Sequence, residues 1–390
     1  MRKRYLRRIY MILAGCVLLI FLSGIFIHTA EEEPAPDPPR VKTAVQQQEK
    51  APAGSPSKLP EKSGENTPEP DGSEIPEGTP PEPFRAVLSF AGDVMFSEQY
   101  LAAYDQSGIS ALADEDMLSQ MRESDLFLLN EEFPFSLQGE AMEDKEYTFR
   151  TDPAYVKIFL ELGADIVTVA NNHALDFGKE AFCDTLDTLK QAGIGWIGGG
   201  YTIQEASAPA VRTVNGQTFA IFGATRVSPS YDWYATDTTP GLFQTYDPAK
   251  LNAAIEAAKS AYDHIIVFVH WGIERNETPE DYQRALAKGY IDAGADLVVG
   301  CHPHVLQGFE YYNGVPIVYS LGNYLFGNRG SETLLLEASF SPEDPVSLKL
   351  IPCQRTGGVL SRIQNPASLF RHLEELSFDV SVTPEGILTP

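Results

Sequence analysis

Histidine is scarce in this chain, and two of its histidines stand where both could bind a metal ion. Only 7 of the 390 residues are histidine, yet His302 and His304 lie two residues apart in the segment GCHPHV. Neutral imidazoles are common metal ligands. In an extended chain residues i and i+2 point the same way, so both rings are expected to face one cleft. The spacing predicts that they reach one metal ion or two adjacent ones.

Other chemically active side chains follow apolar segments that are typical of buried strands. In α/β sheets, ligand-binding groups cluster where strands reach their carboxyl ends, so these side chains are expected to meet at one edge. Carboxylate, imidazole and amide oxygen together suit divalent ions such as Mg²⁺, Mn²⁺ or Zn²⁺. The residues that follow strands in this way are Asp93, Asn130, Glu132, Asn171, Asn172, His173, Asp176, His270, Glu274, His302, His304 and Asn323.

Each of these residues also has an ordinary structural interpretation. A single histidine at a strand end, such as His270, is often only hydrogen-bonded, and an Asn171–Asn172 pair is common in turns. The combination favours chemistry, because four of the seven histidines fall just after strands together with Asp93 and Glu132. The set predicts a metal or phosphate-type site. Arg150 is a candidate anion clamp, with a surface ion pair as the alternative.

The elements that position these side chains alternate between strand and helix. Apolar runs such as ADIVTVA, TFAIFGAT and ADLVVG are separated by helical patterns such as GKEAFCDTLDTLKQAG and TPEDYQRALAKGYIDAG. Alternation of this kind predicts an α/β layered domain with helices outside a buried sheet. We expect the domain to cover residues 85–330, and residues 331–390 to complete it with antiparallel strands and a short helix at 368–377.

The N-terminal residues have a different composition. Five basic residues in MRKRYLRR precede an apolar run long enough to cross a bilayer, which predicts a transmembrane anchor in residues 1–30 with the following chain outside the cell. A cleaved signal peptide or lipidation at Cys16 remains an alternative. Residues 31–84 hold 13 of the 28 prolines, which predicts a disordered, Pro- and Glu-rich linker.

Charge and cysteine content limit the classes of partner and of fold. A formal net charge of -25, with no basic stripe, argues against a nucleic-acid partner. Cys16 lies in the predicted anchor, and three cysteines in the outer domain do not make a disulfide framework. A single bridge between Cys183 and Cys353 is left open.

Six ordered blocks of this sequence carry a resemblance to a known family. The blocks are GDVM (92–95), NEE (130–132), ANNHALDFG (170–178), HWGIE (270–274), GCHPHVLQGFE (300–310) and YSLGN (319–323). Together they resemble the CapA family, which is named for bacterial poly-γ-glutamate capsule synthesis, over roughly residues 86–330. The resemblance implies the calcineurin-like metallophosphoesterase superfamily and an α/β fold, a four-layer αββα sandwich with one or two divalent ions. It also implies a membrane-anchored, outward-facing protein.

The resemblance also implies roles for individual residues. His173 resembles a histidine that acts near the leaving group, and Asp176 is a candidate to orient it. One position departs from the superfamily pattern, since Met95 stands where a second metal-binding histidine is usual. A thioether is a poor ligand for Mn²⁺ or Mg²⁺, which puts one metal position in doubt. Glu132 takes the position of a bridging aspartate, with Asn130 as its neighbour or alternative. The implied metal ligands are Asp93, Glu132, Asn172, His270, His302 and His304.

Two classes of function fit these residues. The first is a divalent-metal, phosphoesterase-like hydrolase in capsule biosynthesis, and a hydrolase that trims cell-wall or capsule polymer is a variant of it. The second is a non-catalytic, metal-dependent protein that binds an anionic polymer beside capsule synthase subunits and assists export.

Overall fold

The structure is a computed structural model, and it describes residues 85–327, 332–342 and 344–390. The predicted anchor and linker therefore lie outside the described residues. None of the helices within those residues is both long enough and apolar enough to span a bilayer.

The described residues form eighteen strands, most of which belong to two large sheets. They are β1 (Ala86–Met95), β2 (Leu126–Glu131), β3 (Ile166–Thr168), β4 (Gly195–Ile197), β5 (Gly199–Gly200), β6 (Ala210–Val214), β7 (Gln217–Thr225), β8 (Gly241–Leu242), β9 (His264–His270), β10 (Leu297–Cys301), β11 (Phe309–Tyr312), β12 (Val315–Val318), β13 (Asn323–Phe326), β14 (Glu332–Phe340), β15 (Ser347–Thr356), β16 (Val359–Arg362), β17 (Ser381–Val382) and β18 (Leu388–Thr389).

The helices of the described residues lie mostly between the long strands. The predicted terminal helix is present, whereas the first two helices were not predicted. The helices are α1 (Glu98–Ser107), α2 (Glu115–Glu123), α3 (Val156–Leu162), α4 (Gly178–Ala192), α5 (Ile203–Ala206), α6 (Ala249–Ala258), α7 (Asp281–Ala293) and α8 (Ala367–Leu376).

Side chains and glycines set several helix ends. Ser97 and Asp114 accept hydrogen bonds from backbone N–H groups in the first turns of α1 and α2, which satisfies donors that have no partner inside a helix. Gly163 and Gly193 end α3 and α4 in the left-handed conformation that glycine adopts without steric cost.

The first sheet places β1 near its centre. Within the described residues its order is β16-β15-β14-β1-β2-β3-β4, and β13 pairs with the end of β1. Strands β1 to β4 run parallel, so the carboxyl ends of β1, β2 and β3 lie at one edge. Strands β14 to β16 are antiparallel, in agreement with the pattern of the C-terminal segments.

The second sheet has the order β11-β12-β10-β9-β7-β6 in the described residues. Strands β7, β9, β10 and β12 run parallel, and the outermost strands β6 and β11 are antiparallel to their neighbours. The carboxyl ends of β9 and β10 consequently lie side by side, with Cys301 opposite His270.

The two sheets face each other, and helices cover both outer faces. Phe90 of β1 and Phe268 of β9 meet in the layer between the sheets, with ring centroids 6.0 Å apart. Helices α1 to α4 pack on the first sheet, and α6 and α7 pack on the second. Because the central strands are buried on both faces, their sequences are continuous apolar runs. The chain thus forms helix, sheet, sheet and helix layers.

The cysteines outside the predicted anchor are all free thiols. Cys301 and Cys353 are buried, Cys183 is half-buried, and the Cys183–Cys353 bridge left open by the sequence is not formed. Buried thiols of this kind behave as small apolar side chains.

Candidate metal centre

Side chains from both sheets meet at the carboxyl edge of the parallel strands. Asp93 lies opposite Asn130 on β2 and Asn323 on β13, while His270 ends β9 and His302 follows β10. All six predicted metal ligands lie at this edge, and five of them are buried while His304 is half-buried. We call these six the histidine–carboxylate cluster: Asp93, Glu132, Asn172, His270, His302 and His304.

A close backbone contact brings β1 to the cluster. The regular pairing of β1 breaks on both sides of Asp93, whose N–H donates to Gly322 O at 2.9 Å. A Cβ on Gly92 would lie only 1.9 Å from that same oxygen, so a larger residue does not fit. The glycine allows the approach that turns Asp93 towards the other ligands.

Asp93 contacts residues from three other segments. Its Oδ1 accepts a hydrogen bond from Asn130 Nδ2 at 2.8 Å, and its Oδ2 lies 3.1 Å from His304 Nδ1. Ligand atoms of Asp93, His270 and Cys301 also lie within 4.8 Å of one another. The thiol belongs to a residue that the sequence did not indicate as a ligand.

Glu132 and the three histidines form the second part of the cluster. Ligand atoms of Glu132, His302 and His304 lie within 4.8 Å of one another. His270 Nε2 lies 2.7 Å from Asn172 Oδ1 and 3.8 Å from Glu132 Oε1. The His270 and His302 ring centroids are 4.6 Å apart. Carboxylate, amide and imidazole atoms therefore converge on one small volume.

Two buried atoms of the cluster have no hydrogen-bond partner among the described residues. They are Glu132 Oε1 and His302 Nδ1. A buried polar atom without a partner costs roughly 1–3 kcal/mol, so such atoms are rare. Both are lone-pair donors of the kind that bind divalent metals. The donor set therefore fits a divalent ion.

Burial and mutual repulsion act strongly on the ionisable groups of the cluster. Burial, followed by the neighbouring Asp93, raises the pKa of Glu132 well above its ordinary range. Burial, with His304 as a second cause, lowers the pKa of His302 to about 3. Burial also lowers the pKa of His304, but Glu132 and Asp93 outweigh it and raise that pKa to about 10. Because both pKa values are raised, metal binding competes with protonation of Glu132 and His304.

The backbone of the His-Pro-His segment differs from the extended conformation expected from the sequence. His302 has φ 101 and His304 has φ 59, both in the region that favours glycine. The prediction that residues i and i+2 align in an extended chain is therefore wrong. The two rings still converge, with centroids 5.8 Å apart, because the cluster contacts hold this strained backbone.

His173 lies beside the cluster in a hydrogen-bonded group. Its Nδ1 is 2.7 Å from Asp176 Oδ2 and 3.0 Å from Lys145 Nζ, and its ring stacks on Phe149 with centroids 4.2 Å apart. Lys145 also forms an ion pair with Asp176 and donates to Asn172 O. Burial lowers the pKa of His173 in spite of the opposing effect of Asp176.

Comparison with known proteins identifies the family. The family model described as "Bacterial capsule synthesis protein PGA_cap" matches residues 87–328. The chain belongs to this family. The matched segment contains every residue of the histidine–carboxylate cluster, together with His173 and Asp176.

Several relatives of the PGA_cap chain carry capsule-related names. "PGA biosynthesis protein CapA" of Bacillus subtilis is 36% identical over 247 residues, which cover 63% of this chain and 64% of that protein. "Capsule biosynthesis protein CapA" of Bacillus anthracis is 27% identical, covering 76% and 74%. A "Probable polyglutamine synthesis accessory protein" of Mycobacterium tuberculosis is 31% identical, covering 62% and 67%.

Solved structures resemble the PGA_cap chain only distantly. A 5'-nucleotidase from Candida albicans has 12% identity and a TM-score of 0.40, covering 68% of this chain and 51% of that one. TT1561 of Thermus thermophilus has 11% identity and a TM-score of 0.36, covering 66% and 99%. Similarity of this size says nothing about the reaction.

Met95 is the last residue of β1, two residues after the metal ligand Asp93 of this PGA_cap protein. Its side chain packs against the apolar layer between the first sheet and its helices, and Met95 is paired with Phe326 of β13. Phe326 in turn lies 4.6 Å from the His304 ring, measured between centroids. The position that the resemblance associates with a histidine ligand therefore contributes packing.

Arg150 is engaged outside the cluster. Its guanidinium donates to Gln138 O and Gly139 O and stacks over Phe177 at 4.1 Å. Glu310, the last residue of the GCHPHVLQGFE block, forms ion pairs with Arg284 and Lys288. Neither Arg150 nor Glu310 contacts the cluster through these bonds.

Sequence reasoning missed two residues that contact the site. Lys145 belongs to a loop without hydrophobic periodicity, so nothing in its neighbours indicated a buried ammonium group. Cys301 was interpreted as a small apolar residue, although its Sγ lies 3.3 Å from His270 Nδ1. Its position in GCHPHV, beside the paired histidines, is the signal that could have indicated it.

Proposed function

We propose that this protein binds one or two divalent metal ions in the histidine–carboxylate cluster and catalyses phosphoesterase-like hydrolysis in poly-γ-glutamate capsule biosynthesis. The observation that carries the proposal is the pair of buried, unpartnered donor atoms on Glu132 and His302, which face a set of imidazole and carboxylate groups. Such a set is costly to bury unless a cation neutralises it.

The cluster and the neighbouring Cys301 thiol provide two sets of ligand atoms. The ligand atoms of Glu132, His302 and His304 lie close together in one set, and those of Asp93, His270 and Cys301 lie close together in the other, with Asn172 Oδ1 2.7 Å from His270 Nε2. A divalent ion there supplies a Lewis acid that polarises an ester or amide and makes water more acidic. Because the thioether of Met95 is a poor ligand for Mn²⁺ or Mg²⁺, we propose that the set containing Asp93 binds metal more weakly.

His173 is the residue proposed to move a proton. With Nδ1–H donated to Asp176, its Nε2 is the free proton acceptor, and Lys145 holds the Asp176 carboxylate in place. Because burial lowers the pKa of His173, the ring is neutral at rest. It must therefore take up a proton during the reaction before it passes one to the leaving oxygen.

The cellular setting is part of the proposal. The basic N-terminus and the apolar run that follows support a single-pass anchor in the cell membrane, with the C-terminal domain outside. The names of two relatives, a PGA biosynthesis protein and a capsule biosynthesis protein, support capsule synthase subunits and an anionic glutamate polymer as partners. The Pro-rich segment 31–84 would then separate the catalytic domain from the membrane.

A non-catalytic function is the second candidate. In this alternative the metal bridges the carboxylates of a glutamate polymer, and the protein assists export without cleaving a bond. Met95 favours it, because a thioether in place of an imidazole would weaken the second metal position and impair catalysis. The name "accessory protein" of one relative is consistent with it.

Metal analysis combined with a hydrolysis assay tests the proposal. The full chain, purified in a mild detergent, is expected to retain at least one divalent ion and to cleave bis(4-nitrophenyl) phosphate when Mn²⁺ is added. His302→Ala and His270→Ala should lose most of the metal and the activity, since each removes a ligand. Met95→His should raise the metal content from one ion towards two.

His372→Ala is the matched control, because it removes an imidazole that is exposed on α8 and paired with Glu277. Full metal content and activity in both ligand variants would contradict the metal assignment. Normal metal content without cleavage of any phosphate ester or γ-glutamyl amide would favour the binding and export function.

A further inference from the structure

Arg226 lies directly beside the histidine–carboxylate cluster but belongs to neither of its ligand sets. It follows the last residue of β7, where Thr225 is paired with His270. Its backbone N–H donates to His270 O at 2.7 Å. Arg226 is therefore held at the same carboxyl edge as the metal ligands, one strand away from the centre.

Two aromatic rings hold the guanidinium of Arg226. Its Cζ lies 3.8 Å from the centroid of the Tyr246 ring and 5.0 Å from that of Tyr282. The Tyr282 hydroxyl accepts a hydrogen bond from Gly272 N at 2.7 Å, two residues beyond His270. Contact with ring faces uses the flat surface of a guanidinium and leaves the N–H groups at its perimeter available.

The N–H groups at the perimeter of this guanidinium have no hydrogen-bond acceptor among the described residues. Within that part of the chain, Arg226 forms neither an ion pair nor a side-chain hydrogen bond. Two other arginines, by contrast, are paired with carboxylates: Arg284 Nε lies 2.9 Å from Glu310, and Arg362 Nε lies 2.7 Å from Asp116. The chain has 54 acidic and 29 basic residues, so carboxylates are abundant. An arginine that is held rigidly but has no carboxylate partner is suited to bind an external anion.

We infer that Arg226 binds an oxyanion, a carboxylate or phosphate group, on the molecule whose reacting group occupies the metal centre. Carboxylate and phosphate share the planar pair of oxygen atoms that a guanidinium binds through two parallel hydrogen bonds. This inference deepens the proposed function, on which it rests for the position of the reacting group. It assigns to Arg226 the anion contact for which the sequence had indicated Arg150.

Calorimetric binding to the full, Mn²⁺-loaded chain in detergent tests the inference with two probes. One probe is a γ-linked glutamate decamer, which offers carboxylates, and the other is inorganic phosphate. Arg226→Gln is expected to weaken binding of the recognised probe at least about tenfold, because a charge-assisted hydrogen bond is lost. Arg226→Lys should restore only part of the affinity, since an ammonium group lacks the two-point geometry. The probe that responds distinguishes a carboxylate ligand from a phosphate ligand.

Arg362→Gln is the control, because that guanidinium is already paired with Asp116. Metal content and melting temperature are measured for every variant. Equal binding of both probes by wild type, Arg226→Gln and Arg226→Lys would overturn the inference, as would a wild-type protein that binds neither probe.

The two proposals fail separately. A wild-type protein that retains no divalent ion but still shows Arg226-dependent anion binding would contradict the proposed metal function alone. Metal-loaded protein whose anion binding is independent of Arg226 would contradict this inference alone.

Discussion

Two histidines of the candidate metal centre have backbone angles that L-residues rarely adopt. His302 and His304 both have positive φ, and Pro303 between them restricts the segment further. Such strain costs of order 1–3 kcal/mol per residue and persists where surrounding contacts over-determine it. We interpret the strain as the cost of directing both imidazoles into one buried cluster.

Substitution of His302 separates this backbone strain from the loss of the imidazole. His302→Gly and His302→Ala both remove the ring, but only glycine adopts φ 101 without a steric penalty. The glycine variant is therefore expected to be more stable than the alanine variant by about 1 kcal/mol. Denaturant unfolding of the two metal-free proteins measures the difference. If His302→Ala were more stable than His302→Gly, the interpretation that the backbone is strained at residue 302 would be wrong.

The carboxyl group of Glu131 lies on the opposite face of β2 from Asn130. Glu131 is 1% exposed, and neither carboxyl oxygen has a partner among the described residues. Phe127 and Leu129, which precede it on the same face, belong to the apolar layer beneath the helices. Burial raises the pKa of Glu131 well above its ordinary value, so the neutral acid is favoured in the folded protein.

Glu131→Leu is expected to stabilise the protein by about 1–3 kcal/mol at neutral pH, because it removes an unpartnered polar group from an apolar layer. The pKa of Glu131 is higher in the folded state than the unfolded value of about 4.5. Wild-type stability is therefore lost as pH rises above about 4.5, and the advantage of leucine grows in the same direction.

Thermal unfolding from pH 5 to 8 measures this effect. Glu131→Gln serves as the control, since it keeps a polar side chain of the same shape but does not titrate. A Glu131→Leu protein that melts below wild type throughout this range would show that the carboxyl group has a favourable partner.

At the scale of elements, the positions of the ligands depend on close approaches between strands. A Cβ on Gly300 of β10 would lie 2.1 Å from Tyr319 O and 2.3 Å from Trp271 Nε1. Trp271 Nε1 itself donates to Tyr319 O at 2.9 Å, which fixes the segment after β9 against the segment after β12. Gly300 thus sets the separation between the strands that carry His270 and His302.

Gly300→Ala is expected to destabilise the protein by about 1–3 kcal/mol and to weaken metal binding, because the extra methyl group pushes these segments apart. Chemical unfolding and metal titration measure the two effects.

Gly289→Ala is the matched control. Gly289 lies inside α7, where a Cβ would be 3.7 Å from its nearest neighbour, so alanine should stabilise the helix by up to about 1 kcal/mol. If Gly300→Ala were as stable as Gly289→Ala, the close approach of Gly300 to Tyr319 and Trp271 would be contradicted.

At the scale of the whole molecule, the cluster joins two sheets whose strands come from distant parts of the sequence. Asp93 lies in β1 and Glu132 follows β2 of the first sheet, while His270 ends β9 and His302 follows β10 of the second. A ligand that binds only when both sheets are in place stabilises the folded state as a whole. Metal binding is consequently expected to act on global stability as well as on chemistry.

Addition of Mn²⁺ at 100 times its dissociation constant should stabilise the metal-free protein by about 2.7 kcal/mol, and a chelator should reverse the effect. The stabilisation should shrink as pH falls, because protons compete for Glu132 and the histidines. Melting curves with Mn²⁺ or EDTA at several pH values test this. His302→Ala should show a much smaller shift, and an equal shift in that variant would contradict binding at the cluster.

Much of this arrangement follows from the sequence. Apolar runs that end in Asp93, Asn130 and His270 predict parallel buried strands, because only a strand buried on both faces is apolar throughout. Parallel strands place the residues that follow them at one edge, so the convergence of the six ligands was predictable. The identity of those residues also indicates a divalent ion, since their donor atoms are the ones such ions prefer.

Only the tertiary structure decided which neighbouring groups join the ligands and how the chain reaches them. The positive φ of His302, the ammonium group of Lys145 and the pairing of Arg226 with two tyrosines depend on contacts between residues far apart in the chain. Local sequence patterns report whether a side chain is buried and in which element it lies. They do not report which distant side chain packs against it, because that depends on how the two sheets and the loops between them are placed in space.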